Sequence, residues 1–160
     1  MAPGHYCIPR GLHFIDMNAD GLDDLVCIHP NGDLYLSINK GDGDRAAGKP
    51  PGWTWVGLIK NAEAEQDRIR LADIDGDGRG DYGVINDDGS ISFWRNGWVD
   101  NKPKYWQPLG VRSTMSTGVS LEAALPGLRF VDINGDVSFC SFPPISFAYS
   151  GEGSPSTNSY

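Results

Sequence analysis

Cysteine is scarce in this chain. Three residues, Cys7, Cys27 and Cys140, are too few and too scattered for a disulfide framework or a zinc site. One pair could bridge, and the odd count then leaves a thiol over. Basic residues are also few: 13 Lys and Arg against 21 Asp and Glu give a net charge of −8. That balance argues against a nucleic-acid partner, because phosphates require a basic face. No apolar run approaches the roughly 18 residues of a membrane span. The segment MAPGHYCIPRG has no apolar core of the signal-peptide kind, and no N-x-[ST] sequon occurs. These residues leave the compartment open. Catalytic signatures are missing too. Neither G-x-S-x-G nor H-E-x-x-H is present, and His5, His13 and His29 have no metal-ligand spacing. His13 precedes an aspartate-rich segment where Arg70 and Arg129 stand elsewhere, so it reads as a strand-edge residue rather than a base. We expect no active site within this chain.

What the chain does contain is glycine, proline and patterned aspartate. With 160 residues, 39% hydrophobic content, 21 glycines and 11 prolines, it suits one turn-rich, all-β domain. Asp73, Asp75, Asp77 and Asp81 occupy positions 1, 3, 5 and 9 of a loop whose sixth residue is Gly78. Oxygen ligands that alternate along the backbone converge on one hard cation, and the glycine permits the sharp turn this requires. Without a cation, four carboxylates within nine residues repel one another. The phrase occurs earlier as Asp16, Asn18, Asp20, Gly21 and Asp24, and it begins a third time as Asp132, Asn134 and Asp136. An acidic turn without an ion is the bland alternative, and the repetition in one strand context weighs against it. An EF-hand needs a bidentate Glu at position 12 and flanking helices, but that position is Cys27 or Val84 inside a predicted strand.

The loops head longer repeats. After the first come the strand-like Leu25–Ile28, a turn over Pro30–Asp33 and a second strand at Leu34–Ile38. After the second come Tyr82–Ile85, a turn at Asp87–Gly89 and Ile91–Trp94. Asn39 and Asn96 fall in register behind these hairpins. Each unit then reaches an aromatic strand, Trp53–Leu58 or Tyr105–Leu109. Repeats starting near residues 12, 69 and 128, with about four short strands each, predict four-stranded antiparallel sheets of the β-propeller-blade type. Two are complete and the third is truncated. Since a closed propeller takes roughly 4 to 8 blades, the chain reads as a partial propeller whose exposed faces await the remaining blades or another copy of itself.

The predicted organisation is therefore a lead-in over residues 1–11, a repeat region over 12–136, and a tail over 137–160. In the third loop, Val137 replaces the glycine at position 6 and Cys140 the aspartate at position 9. From Val137 onward there are seven serines, three prolines and three phenylalanines, and Glu152 is the sole charged residue. Two readings stand. Either a divergent last strand runs into a disordered tail, or the native frame leaves the repeat at Asp136, since Val-Ser codons match a eukaryotic splice donor and the tail is then translated intron.

The phrases HFIDMNADGLDDLVCIHPNGDLYLSIN and RLADIDGDGRGDYGVINDDGSISFWRNG resemble the FG-GAP/VCBS repeat family over about residues 12 to 136. The chain is also similar to the propellers appended to secreted hydrolases of the SGNH esterase kind, although no hydrolase portion is present. The resemblance implies a calcium-stiffened, extracellular β-propeller module used for binding or adhesion. It implies one Ca²⁺ held by Asp16, Asn18, Asp20, the Leu22 carbonyl and Asp24, and another held by Asp73, Asp75, Asp77, the Arg79 carbonyl and Asp81. A weaker third site falls on Asp132, Asn134 and Asp136. Asn18 replaces a carboxylate, so the first loop should bind more weakly. Extracellular modules hold calcium with Kd of roughly 10⁻⁴ to 10⁻³ M.

Two short motifs are decoys. Arg79-Gly80-Asp81 spells an adhesion tripeptide, but Asp81 is the expected ninth-position ligand. Gly43–Lys49 imitates a phosphate-binding loop, yet Pro50 stands where Ser or Thr should hold magnesium, and Pro51-Gly52 precludes the helix. The five tryptophans, at 53, 55, 94, 98 and 106, suit the core better than a sugar site. The leading expectation is a non-catalytic binding or accessory module. A lectin-like propeller with exposed Trp94 or Trp98, and an accessory fragment of a secreted hydrolase, are the alternatives.

Overall fold

In the computed structural model, residues 7–99, 102–113, 129–131 and 140–142 are described. Strands β1 (Leu12–Ile15), β2 (Asp24–Ile28), β3 (Leu34–Asn39) and β4 (Trp53–Lys60) form one sheet. Strands β5 (Ile69–Ala72), β6 (Asp81–Ile85), β7 (Ile91–Val99) and β8 (Lys102–Ser113) form a second. In both, neighbours in sequence pair antiparallel, which is the four-stranded meander of a propeller blade. A short 3-10 turn precedes each first strand, at Pro9–Gly11 and Gln66–Arg68. β9 (Arg129–Val131) pairs antiparallel with β10 (Cys140–Phe142).

Register shows that the repeat is physical. Ile15 pairs with Asp24, and Ala72 pairs with Asp81, so each aspartate loop is the connection from the first strand to the second. Val131 pairs with Cys140, which stands where the ninth-position aspartate stands in the other two units. Both β2–β3 and β6–β7 hairpins close with the same turn. The Gly32 N–H donates to the His29 carbonyl and the Gly89 N–H to the Asn86 carbonyl. The third-loop residues Asp132, Asn134 and Asp136, and most of the tail, lie outside the described residues.

One difference from the expected strands stands out. β7 and β8 run well beyond the short strands expected, with register shifts at Ile91/Ser92, Phe93/Trp94 and Gly97/Trp98. The segment expected as a polar connection is thus a long hairpin. Pro103 and Pro108 are tolerated in it because β8 is an edge strand, which does not need every N–H for pairing. In the first sheet the same place holds an excursion over residues 40–52, closed by a bridge between Asp44 and Lys49. The sequence resembling a phosphate loop lies there, and no helix follows it.

The sheets pack face to face. Met17, Val26, Ile28, Leu34 and Leu36 from the first meet Ile69, Tyr82 and Val84 from the second, flanked by Trp94, Trp98 and Trp106. Full burial of each such aliphatic side chain stabilises by about 1.5–3 kcal/mol. These three tryptophans are half-buried and pack against the core, whereas Trp53 and Trp55, expected there too, are half-buried but do not join it. Lys60 seals one end of it. Its ammonium lies 4.6 Å from the Tyr82 ring centre and 5.2 Å from that of Trp94, and 3.0 Å from Glu63 Oε1.

The opposite face of the first sheet has no such cover among the described residues. Phe14 is 56% exposed, Leu58 48% and Leu12 37%, while Tyr35 stacks on Trp55 at 6.0 Å. Leu12 is the counterpart of Ile69, which is buried beneath the first sheet. A disulfide joins Cys7 to Cys27 and holds the lead-in against β2.

Candidate metal centre

Both loops wrap their backbone around the first aspartate. Asp16 Oδ1 accepts from the N–H groups of Asn18 (3.1 Å) and Ala19 (2.7 Å), and Oδ2 accepts from Gly21 (2.7 Å). Asp73 repeats this: Oδ1 accepts from Gly76 (2.8 Å) and Asp77 (3.2 Å), and Oδ2 from Gly78 (2.7 Å). The chain curls this tightly because the sixth loop residue lies in left-handed conformation, Gly21 at φ 81° and Gly78 at φ 84°. Ala19 adopts φ 62° at the fourth position, where the second loop has Gly76.

The ninth-position carboxylates are anchored alike. Asp24 Oδ2 accepts from the Met17 N–H (3.0 Å) and Oδ1 from the Asn39 N–H (2.9 Å). Asp81 Oδ2 accepts from the Ile74 N–H (3.0 Å) and Oδ1 from the Asn96 N–H (2.8 Å). Both are fully buried at the start of their strands. Burial pushes each up to about 6, against the lowering effect of these N–H donors. Burial likewise raises Asp73. Because Asp81 is enclosed, the Arg79-Gly80-Asp81 tripeptide is not displayed to a partner, in keeping with its reading as a coincidence.

The other carboxylates are arranged differently in the two loops. Asp73, Asp75 and Asp81 each bring a carboxylate oxygen within 4.8 Å of the others. Among the described residues, Asp16, Asp20 and Asp24 do not gather so closely. Asp20 is instead held by Asn18, whose amide donates to Oδ2 at 2.9 Å. In the second loop Arg95 supplies positive charge. Its Nε lies 2.7 Å from Asp75 Oδ2 and its Nη2 2.9 Å from Asp77 Oδ2, and Arg79 also pairs with Asp77. Three hard oxygen donors gathered around a partly desolvated carboxylate fit a calcium ion well.

Asn39 and Asn96 carry a function that the sequence reading did not assign. Each holds the ninth-position carboxylate through its backbone N–H and an eighth-position carbonyl through its amide, Asn39 to Asp23 (3.0 Å) and Asn96 to Gly80 (3.2 Å). Their common register behind the second strand of each unit was the available signal. Arg95 left no such signal, since its counterpart in the first unit is Ile38.

Comparison with known proteins points the same way. A family model described as FG-GAP-like repeat matches residues 16–84, from the first ligand of the first loop to the strand behind the second loop. No curated protein and no solved structure matches the chain.

Proposed function

Residues 16–84 belong to the FG-GAP-like repeat family, and on that premise we propose that the chain is a non-catalytic, calcium-stiffened β-propeller-type module of a secreted protein, serving binding, adhesion or support of a larger assembly. The observation that carries this reading is the recurrence of one hydrogen-bonded frame in both loops, with Asp73, Asp75 and Asp81 gathered within 4.8 Å in the second. The first ion would be held by Asp16, Asn18, Asp20, the Leu22 carbonyl and Asp24. The second would be held by Asp73, Asp75, Asp77, the Arg79 carbonyl and Asp81. Bound calcium supplies the positive charge that offsets the clustered carboxylates. The chain's own part is to orient them: the N–H groups of Met17, Ile74, Asn39 and Asn96 fix the ninth-position side chains before any ion arrives. Asp132, Asn134 and Asp136 would form a weaker third site, lacking the ninth carboxylate.

The Cys7–Cys27 disulfide supports a secreted setting, since such bonds persist in oxidising compartments. The uncovered face of the first sheet supports a neighbouring blade as partner, contributed by a larger propeller or another copy of the chain. Its residues Leu12 and Cys27 correspond to Ile69 and Val84, which the first sheet itself covers. The stacked Tyr35 and Trp55 on that face also favour a second reading, a carbohydrate ligand.

A calorimetric calcium titration of chelator-stripped protein tests the main reading. Two binding events per chain, with a raised Tm, are expected. No heat and no change in Tm at millimolar calcium would overturn it.

A further inference from the structure

The two loops touch. The Gly80 N–H, from the second loop, donates to the carbonyl of Asp16, the first ligand of the first loop, at 2.7 Å. A Cβ at Gly80 would lie 2.7 Å from Ile15 Cδ1, so any other residue here would have to push the Ile15 side chain aside. Asn96 makes the second connection. Its amide donates to the Met17 carbonyl (2.9 Å) as well as to the Gly80 carbonyl (3.2 Å), and it is completely buried. Met17 is the residue whose N–H holds Asp24, and the Asn96 N–H holds Asp81. A path therefore runs from Asp24 through the main chain of Met17, whose N–H and carbonyl flank its Cα, and through Asn96 to Asp81.

We propose that Asn96 is a positioning residue that couples the two loops, so that an ion in one raises the affinity of the other. The proposal rests on the calcium reading above. An ion in the first loop would fix Asp24 and, through the Met17 N–H, the main chain at Met17. The carbonyl on the other side of the Met17 Cα holds the Asn96 amide, and the Asn96 backbone N–H holds Asp81 in place. The second loop then spends less conformational entropy in gathering its ligands. The path is specific to Asn96. Asn39 makes the equivalent bonds within its own loop, but among the described residues no loop from another sheet stands before it.

The test is a set of calorimetric calcium titrations on the full chain. Asp20→Ala removes an exposed ligand of the first loop, and Asp75→Ala does the same for the second. The second loop should bind about tenfold more weakly in Asp20→Ala than in the unmodified chain, and the first loop should weaken by the same factor in Asp75→Ala, as linkage requires. Asn96→Ala keeps the N–H that holds Asp81 and loses only the amide. In that background both factors should fall to near one while each loop still binds. Equal affinity of each loop with the other intact or disabled overturns the coupling, even if Asn96→Ala fails to fold. Coupling that survives in Asn96→Ala assigns it to the Gly80–Asp16 contact and overturns the role of Asn96. Absence of any binding in the unmodified chain overturns the calcium reading itself, and the coupling with it.

Discussion

The first and second aspartate loops share register, turn geometry and anchoring bonds, yet among the described residues the second has a sheet packed in front of it and the first does not. In the second loop the Asn96 amide reaches the Met17 carbonyl of the neighbouring loop, and the side chain is wholly buried. In the first, Asn39 stays within its own loop and is only half-buried. The second gathers three carboxylates with a guanidinium beside them, whereas the first leaves Asp20 to its Asn18 hydrogen bond. The difference teaches that a repeat's local phrase sets the frame of the site, while the blade before it sets how tightly that frame is closed.

The largest way to break the comparison is to delete the ninth-position carboxylate. Asp81→Ala leaves the Ile74 and Asn96 N–H groups without their acceptor, and the Asn96 group lies where water does not reach. A buried unsatisfied donor costs about 1–3 kcal/mol, so calcium-free stability at acid pH, where the buried carboxyl is uncharged, should fall by about 1–3 kcal/mol. Asp24→Ala leaves the buried Met17 N–H and the half-buried Asn39 N–H without their acceptor, one donor of each kind as in Asp81→Ala, and should cost about as much. Urea unfolding of the two variants decides. A clearly smaller loss in Asp24→Ala would mean that water reaches the first loop's donors where it does not reach the second's.

A pH series should reveal what the loops hold in common. Asp24 and Asp81 both rise from an ordinary 3.8 to about 6 because burial disfavours their charged forms. Across that window the folded chain keeps protons that the unfolded chain has released. Calcium-free stability should therefore decrease as pH climbs from about 4 to about 7. Calcium needs the ionised carboxylates, so with saturating calcium Tm should rise over the same window. Melting curves with chelator and with calcium give the two slopes. Slopes of the same sign would show that these two groups do not dominate either state.

Much of this arrangement was legible in the sequence. Asp and Gly spacing placed both loops, and the Asn-Gly and Asp-Gly turns placed the hairpins, because these signals depend on local backbone geometry. The packing of Trp94, Trp98 and Trp106 against the core followed from their positions in the repeat, while that of Trp53 and Trp55 did not. The long β7–β8 hairpin did not, because Asn96, Gly97 and Pro103 read locally as connection, and cross-strand pairing along a sheet edge overrides that preference. Nor did the pairing of Cys7 with Cys27, since spacing alone does not select among three cysteines. The contact of Asn96 with Met17 spans 79 residues. Only the packing of one sheet on the next creates it, so no local pattern announces it.

The smallest effect should come from exchanging a position where the charge beside the two loops differs. Arg95 pairs with Asp75 and Asp77 beside the candidate site, and its counterpart in the first unit is Ile38. A guanidinium in that place competes with a cation for the same oxygens, while an isoleucine does not. Arg95→Ile should therefore tighten calcium binding by the second loop. Partly exposed ion pairs contribute about 0–1 kcal/mol, so the gain should not exceed about fivefold. Calorimetric titration in the Asp20→Ala background, where the first loop is disabled, reads the second loop alone. A weaker second loop in Arg95→Ile would instead mean that Arg95 holds Asp75 and Asp77 ready for the ion, which would make it part of the site's frame rather than its rival.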